Sequence, residues 1–222
     1  MMKSTVEVIT RSPSLRDHVE EALASAIISG GLAPGELLTA PTLAQRFGVS
    51  ATPVREAMLN LQKRGFVEPV RNKGFRVTDV SEEDLRTIVE VRLMLEPPAM
   101  ARLAGDVPAG DVDGLRGAAD RIVQGAAAGD LAAYLTADTA FHISLTDLLG
   151  NQRLTNLIAE LRAQTRLPGL AGMLSSEELT VSAQEHHELL DLLVAGKARE
   201  AESLMRRHIS HVIGWWAGRP ET

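Results

Sequence analysis

Cysteine is absent from the 222 residues, which removes disulfides and thiolate metal sites and leaves any metal to His, Asp or Glu. Aromatic residues make up only 3%, too few for a platform on which single-stranded bases stack. No apolar stretch is long enough to span a bilayer, and "MMKSTVEVITR" lacks the hydrophobic run of a secretory leader. A cytoplasmic protein with no membrane partner is therefore expected. Hydrophobic residues are 45% of the chain, enough at this length for one or two compact domains with real cores.

The net charge of −6 argues by itself against nucleic acid, but its distribution does not. Residues 40–80 hold seven Lys/Arg against three Asp/Glu, a balance of +4, whereas residues 81–222 hold thirteen against twenty-one, a balance of −8. A basic module joined to an acidic one follows, and we divide the chain into residues 1–80 and 81–222.

In the first part a helix is expected to start after Ser12 or Ser14 and to run to the Gly30-Gly31 stop, with Leu15, Val19, Leu23, Ala26 and Ile27 inward. "LAPGE" reads as a turn. Thr39 can cap a short helix ending at Gly48, and Ser50 a third helix with Pro53 in its first turn. "FVEPV" and "GFRVTDV" then read as two strands around "RNKG". This order of elements is a winged helix-turn-helix. The helix beginning at Ser50 offers hydroxyls and a positive dipole end to phosphate, through Ser50 and Thr52, while Arg55 suits a guanine edge. The hairpin tip Asn72-Lys73-Gly74 can reach the DNA backbone or the minor groove.

The stretch "LAQRFGVSATPVREAMLNLQKRGFVEPVRNKGFRV" resembles the DNA-binding domain of GntR-type bacterial transcription regulators, with "GVSxTPVREAxxxLxxxGxV" its most specific part. The likeness covers roughly residues 15–78. It implies binding to double-stranded operator DNA by a homodimer. The sequence differs from the usual pattern at Ala51, where the family has Arg, and at Ala40-Pro41, where it has a Glu-Arg pair.

From Ser81 the pattern changes to long amphipathic segments without a convincing strand, giving an all-α bundle of six helices, broken once at Pro97-Pro98. A Ser-x-x-Asp capping pattern opens it. Three of its helical stripes carry a polar surprise. Leu131, Leu135, Asp138, His142, Leu145 and Leu149 form one seam. His186 sits among Leu179, Ala183, Leu190 and Leu193, and His208 among Ala201, Leu204, Val212 and Trp215. A buried acid or imidazole without a partner costs several kcal/mol, on the order of the desolvation penalty. Any one of these histidines alone reads as a hydrogen-bonded core residue. Asp138, His142, His186 and His208 on three seams together read as a metal site; imidazole suits zinc, nickel, copper and iron and carboxylate also manganese, with zinc or nickel expected. His187 lies on a less central stripe, and His211 one turn beyond His208 is a possible neighbour. Trp215 and Trp216 are assigned to packing.

"DxxFH", "EH" and "MRRH" are similar in spacing to the FCD ligand-binding domain of the FadR-like branch, whose members commonly hold a metal through one Asp and three His. The resemblance implies Asp138, His142, His186 and His208 as ligands; the spacing back from "RRH" selects His186 over His187. Six helices match VanR-type members better than FadR itself. Arg92 shares the inward stripe of the first helix with Leu85, Ile88, Val89 and Leu95. It suits either an ion pair with Glu96 or a clamp on an acidic effector, while Arg162 and Arg166 lie at the edge of their stripe of Leu154, Leu157, Ile158 and Leu161. The expected function is a transcription regulator, not an enzyme, whose operator binding responds to a small organic or sugar acid at the metal. The alternatives are a metal-dependent enzyme with an appended DNA-binding module, and a regulator whose metal is purely structural.

Overall fold

The computed structural model describes residues 14–79, 81–165 and 176–214. Arg166, Trp215, Trp216 and most of the "LPGLAGMLSS" loop lie outside the described residues.

The N-terminal part comprises α1 (Leu15–Ile28), β1 (Leu37–Leu38), α2 (Ala40–Phe47), α3 (Ala51–Lys63), β2 (Val67–Val70) and β3 (Gly74–Val77). Local chemistry sets the ends. A capping box between Ser14 and Asp17 starts α1, and Thr39 caps α2 by accepting from the Thr42 amide. Gly48, left-handed at φ 65°, ends α2 and turns the chain into α3. Val19, Leu23, Ile27, Leu43, Val54, Met58, Leu61 and Phe66 bury into one core with Val67 and Val77. Leu15 is a correction: expected inward, it is 53% exposed in the first turn of α1. The strands form an antiparallel sheet in the order β1-β3-β2. The two-residue β1, which pairs Leu37 with Arg76 and Leu38 with Phe75, was not foreseen because two residues carry no alternation to read.

The second core is built from α4 (Glu82–Leu103), α5 (Ala109–Ala128), α6 (Leu131–Asp147), α7 (Gln152–Gln164), α8 (Glu177–Val194) and α9 (Ala198–Ser210). These are the six expected helices, among the described residues. The capping box at Ser81 and Asp84 is formed. No helix is long and apolar enough to cross a membrane.

The expected break at Pro97-Pro98 does not occur, since α4 runs through both prolines. Each proline removes an amide and leaves a carbonyl one turn back unpaired, at a cost on the order of 3 kcal/mol in an isolated helix. Here the Leu93 carbonyl accepts instead from Arg206 Nη1 of α9 at 3.5 Å. Burial of Pro97, Ala99, Met100 and Leu103 supplies the remaining support. At Gly125 the backbones of α5 and α6 approach so closely that a Cβ there would lie 2.7 Å from the Tyr134 amide nitrogen. That contact holds α6, and with it Asp138 and His142, against the bundle.

Candidate metal and DNA-binding sites

α6, α8 and α9 bring four side chains to one point. Asp138, His142, His186 and His208 are all buried, and one ligand atom from each lies within 4.8 Å of the others. His186 Nε2 stands 3.1 Å from Asp138 Oδ1 and 3.1 Å from His142 Nε2, while His142 Nε2 is 3.7 Å from Asp138 Oδ1. The rings of His142 and His208 have centroids 5.1 Å apart, and those of His186 and His208 4.8 Å. Helical spacing explains the convergence: positions 138 and 142 lie one turn apart on the same face of α6.

The outward sides of two rings fix their protons. His186 Nδ1 is 3.0 Å from the Ala183 carbonyl, which can only accept, so Nδ1 carries the proton and Nε2 presents a lone pair. His208 Nδ1 likewise donates to Glu185 Oε2 at 2.8 Å. Lone pairs of His186 and His208 therefore join a carboxylate oxygen and the nitrogen of His142. One proton on His142 cannot satisfy all these contacts between acceptors, and a divalent cation can. The residues present thus fit a metal, and their lack of sulfur suits a borderline ion.

Electrostatics agree. Burial first, then the positive charge of Arg162, pushes the His142 imidazole well below its usual range, so it stays neutral. Burial lowers His208 to about 4 against the opposing hydrogen bond to Glu185. Burial alone would raise the Asp138 carboxyl, but the charge of Arg162, whose Nη1 donates to Oδ2, holds it below the carboxylate range. Neutral imidazoles beside an ionised carboxylate are the protonation states a metal needs.

Two residues around this cluster, Glu185 and Arg162, were missed or undervalued in the sequence. Glu185, 4% exposed, accepts from His208 Nδ1, from His211 Nε2 at 3.0 Å and from Arg207 Nε at 2.9 Å. Glu185, His208 and His211 also form a compact group able to hold an ion. Hydrogen-bond distances on both sides of Oε2, however, make Glu185 an acceptor that orients the two rings. It lies one residue before His186 and so off the seam that drew attention. Arg162 is fully inward: its Nη2 donates to Glu96 Oε2 at 2.7 Å and its Nη1 to Asp138 Oδ2 at 3.1 Å. The face of α7 that turns inward is Thr155, Ile158, Arg162 and Thr165, while Leu157 is 43% exposed. Two carboxylates, rather than the leucine stripe, set that rotation. Arg92 forms the first of the two arrangements open to it, an ion pair from Nε to Glu96 Oε1 at 2.6 Å, and Nη1 also donates to Thr165 Oγ1 at 3.3 Å. Burial favours a neutral Glu96, but Arg162 and Arg92 together hold its carboxyl below its usual value.

One turn before Asp138 and His186, on the same helices, lie Tyr134 and Ser182. Both are wholly buried with their hydroxyls close enough to interact, and neither has a partner beyond the other among the described residues. His187, as expected, stays out of the cluster and pairs with Asp120 at 3.2 Å.

At the other end of the chain, Ser50 occupies the N-cap of α3 but its side chain makes no cap hydrogen bond, leaving the hydroxyl outward. Thr52 and Arg55 are exposed, and the first turn of α3 carries no acidic residue. Asn72 and Lys73 are exposed at the hairpin tip, with Asn72 left-handed at φ 59°. Gly74 has a packing role: at φ 115° a Cβ would come within 2.3 Å of the Leu38 carbonyl where β3 meets β1.

Residues 15–77 match the model of bacterial regulatory proteins of the gntR family, and residues 87–211 that of the FCD domain. A probable D-xylose utilization operon transcriptional repressor of Paenarthrobacter nicotinovorans is 29% identical over 94% of this chain and 91% of its own length. The regulator LutR of Bacillus subtilis is 28% identical over 84% of this chain and 94% of its own. Among solved structures, Escherichia coli McbR/YncC superposes with a TM-score of 0.76 at 25% identity, covering 92% of this chain and 98% of that one.

Proposed function

Because the chain belongs to the GntR family of transcription regulators and carries its FCD domain, we propose that its operator binding is controlled by a small acid bound at a metal held by Asp138, His142, His186 and His208. The observation that carries this reading is the cluster itself, in which rings fixed by Ala183 and Glu185 turn their lone pairs toward one carboxylate. Zinc or nickel is the ion proposed, and either can accept an effector oxygen beyond its protein ligands. Such a metal supplies a fixed positive charge for an acid group.

The side chains around the cluster suit an organic or sugar acid. Arg92 and Arg162 put two guanidinium groups beside the cluster, and the hydroxyls of Tyr134 and Ser182, with no partner beyond each other, give an effector's own hydroxyls something to bind. We place the working division of the chain at residues 1–80 for DNA and 81–222 for metal and effector. Ser50, Thr52, Arg55, Asn72 and Lys73 are the proposed DNA contacts, presented twice by a homodimer to the half-sites of an operator.

A thermal-shift screen of hydroxy and sugar acids, run on zinc-loaded and chelated protein, tests the reading. Stabilisation by an acid only in the loaded protein, together with altered operator binding, is expected. Equal stabilisation in both forms would make the metal structural.

A further inference from the structure

We propose that Arg162 is the positioning residue through which occupancy of the metal cluster reaches the DNA-binding part of the chain, an inference that rests on the metal reading above. Arg162 faces two ways. Its guanidinium holds Asp138 Oδ2 at 3.1 Å, while Asp138 Oδ1 belongs to the cluster. With Ala159 and Ala163 it also lines a cleft of about 560 Å³ shared with Asp17, Glu20 and Glu21 of α1, where Arg64 already pairs with Glu20 at 2.9 Å. Ala163, the next residue, packs against the N-terminal core. A second contact crosses the same boundary: Thr136, two residues before Asp138, donates to Glu21 Oε1 at 3.0 Å.

The chemistry gives this arrangement a direction. A dication beside Asp138 Oδ1 draws on the carboxylate charge that holds Arg162 and repels the guanidinium. Glu96, which accepts from Arg162 Nε at 3.0 Å and from Nη2, keeps the side chain in place as a pivot. The displaced positive charge then moves across the cleft toward the carboxylates of α1 and draws α7 toward α1. Packed side chains of this kind move between discrete arrangements rather than deforming continuously.

Amide hydrogen exchange on the full chain tests this, with chelated protein and added zinc chloride as the probe and elemental analysis as the measure of loading. In the parent, zinc should slow exchange severalfold in α6, α8 and α1. In Arg162→Lys, which keeps the charge but loses the fork, zinc should still load and still protect α6 and α8 while α1 no longer responds. Equal protection of α1 in parent and variant would overturn the proposal and leave the metal site standing. Should Arg162→Lys fail to fold or to load zinc, Ala163→Glu decides. Zinc retained with the α1 response lost supports the path, and an α1 response like the parent's overturns it. A parent that takes up no zinc removes the metal reading itself.

Discussion

The Nε2 atoms of His142 and His186 face each other at 3.1 Å, from two helices, with Asp138 Oδ1 3.1 Å from the same His186 atom. Two imidazoles and a carboxylate at such distances inside a bundle compete for one positive charge. The surrounding protein fixes which atoms face inward: Ala183 takes the other proton of His186, and Glu185 that of His208.

Glu185 is therefore expected to matter for metal affinity without touching the metal. Glu185→Gln replaces one acceptor oxygen by a donor between His208 and His211, and disturbs the tautomer that points His208 Nε2 inward. Loss of such an orienting partner lowers affinity by about 10–100-fold. Competition titration with a chromogenic chelator measures it, and unchanged zinc affinity would show that Glu185 orients nothing.

Tyr134→Phe separates stability from recognition. The Tyr134 hydroxyl is buried with no partner but Ser182, so its removal should change the stability of the free protein by no more than about 1 kcal/mol. If the hydroxyl serves an effector, the same variant should lose affinity for any acid that stabilises the parent. Denaturant unfolding with and without that acid reads both effects, and a free protein destabilised by several kcal/mol would contradict the account.

The pH dependence has a definite sign. Burial lowers His208 from 6.5 to about 4 in the folded chain. Above pH 6.5 the ring is neutral folded or unfolded, and its contribution is fully present. As pH falls from 6.5 toward 4, the unfolded chain takes up a proton that the folded chain refuses, so stability is lost across that window. For the chelated protein the loss from this ring is about 3 kcal/mol, and bound zinc should be released in the same direction. In His208→Gln the slope between pH 6.5 and 4 should flatten, which unfolding at stepped pH would show.

On DNA, Arg55→Ala should cost roughly 1–3 kcal/mol if Arg55 reads a guanine edge. Lys73→Ala should weaken binding evenly across sequences and reduce its salt dependence. Both variants binding an operator as the parent does would mean that the recognition helix and the wing have been misassigned. Sedimentation of the full chain at micromolar concentration should show a dimer.

Much of this was legible in the sequence because it follows from short-range rules. Caps at Ser14, Thr39 and Ser81, the glycine at 48 and the 3.6-residue seams through His142, His186 and His208 are local patterns, and each is present in the fold. What the sequence hid depends on partners distant along the chain. Continuation of α4 through Pro97-Pro98 rests on Arg206, more than a hundred residues away. The inward turn of Arg162 rests on Glu96 and Asp138, and no period within α7 announces it. Glu185 was masked by its neighbour His186, since adjacent helical residues point about 100° apart.

Elemental analysis of the purified chain tests the central claim most directly, comparing the parent with a His186→Ala/His208→Ala double variant and with His187→Ala. The account predicts about one zinc or nickel per chain in the parent and in His187→Ala, with the metal lost from the double variant while operator binding by the winged helix survives. Stoichiometric metal persisting in the double variant would contradict it.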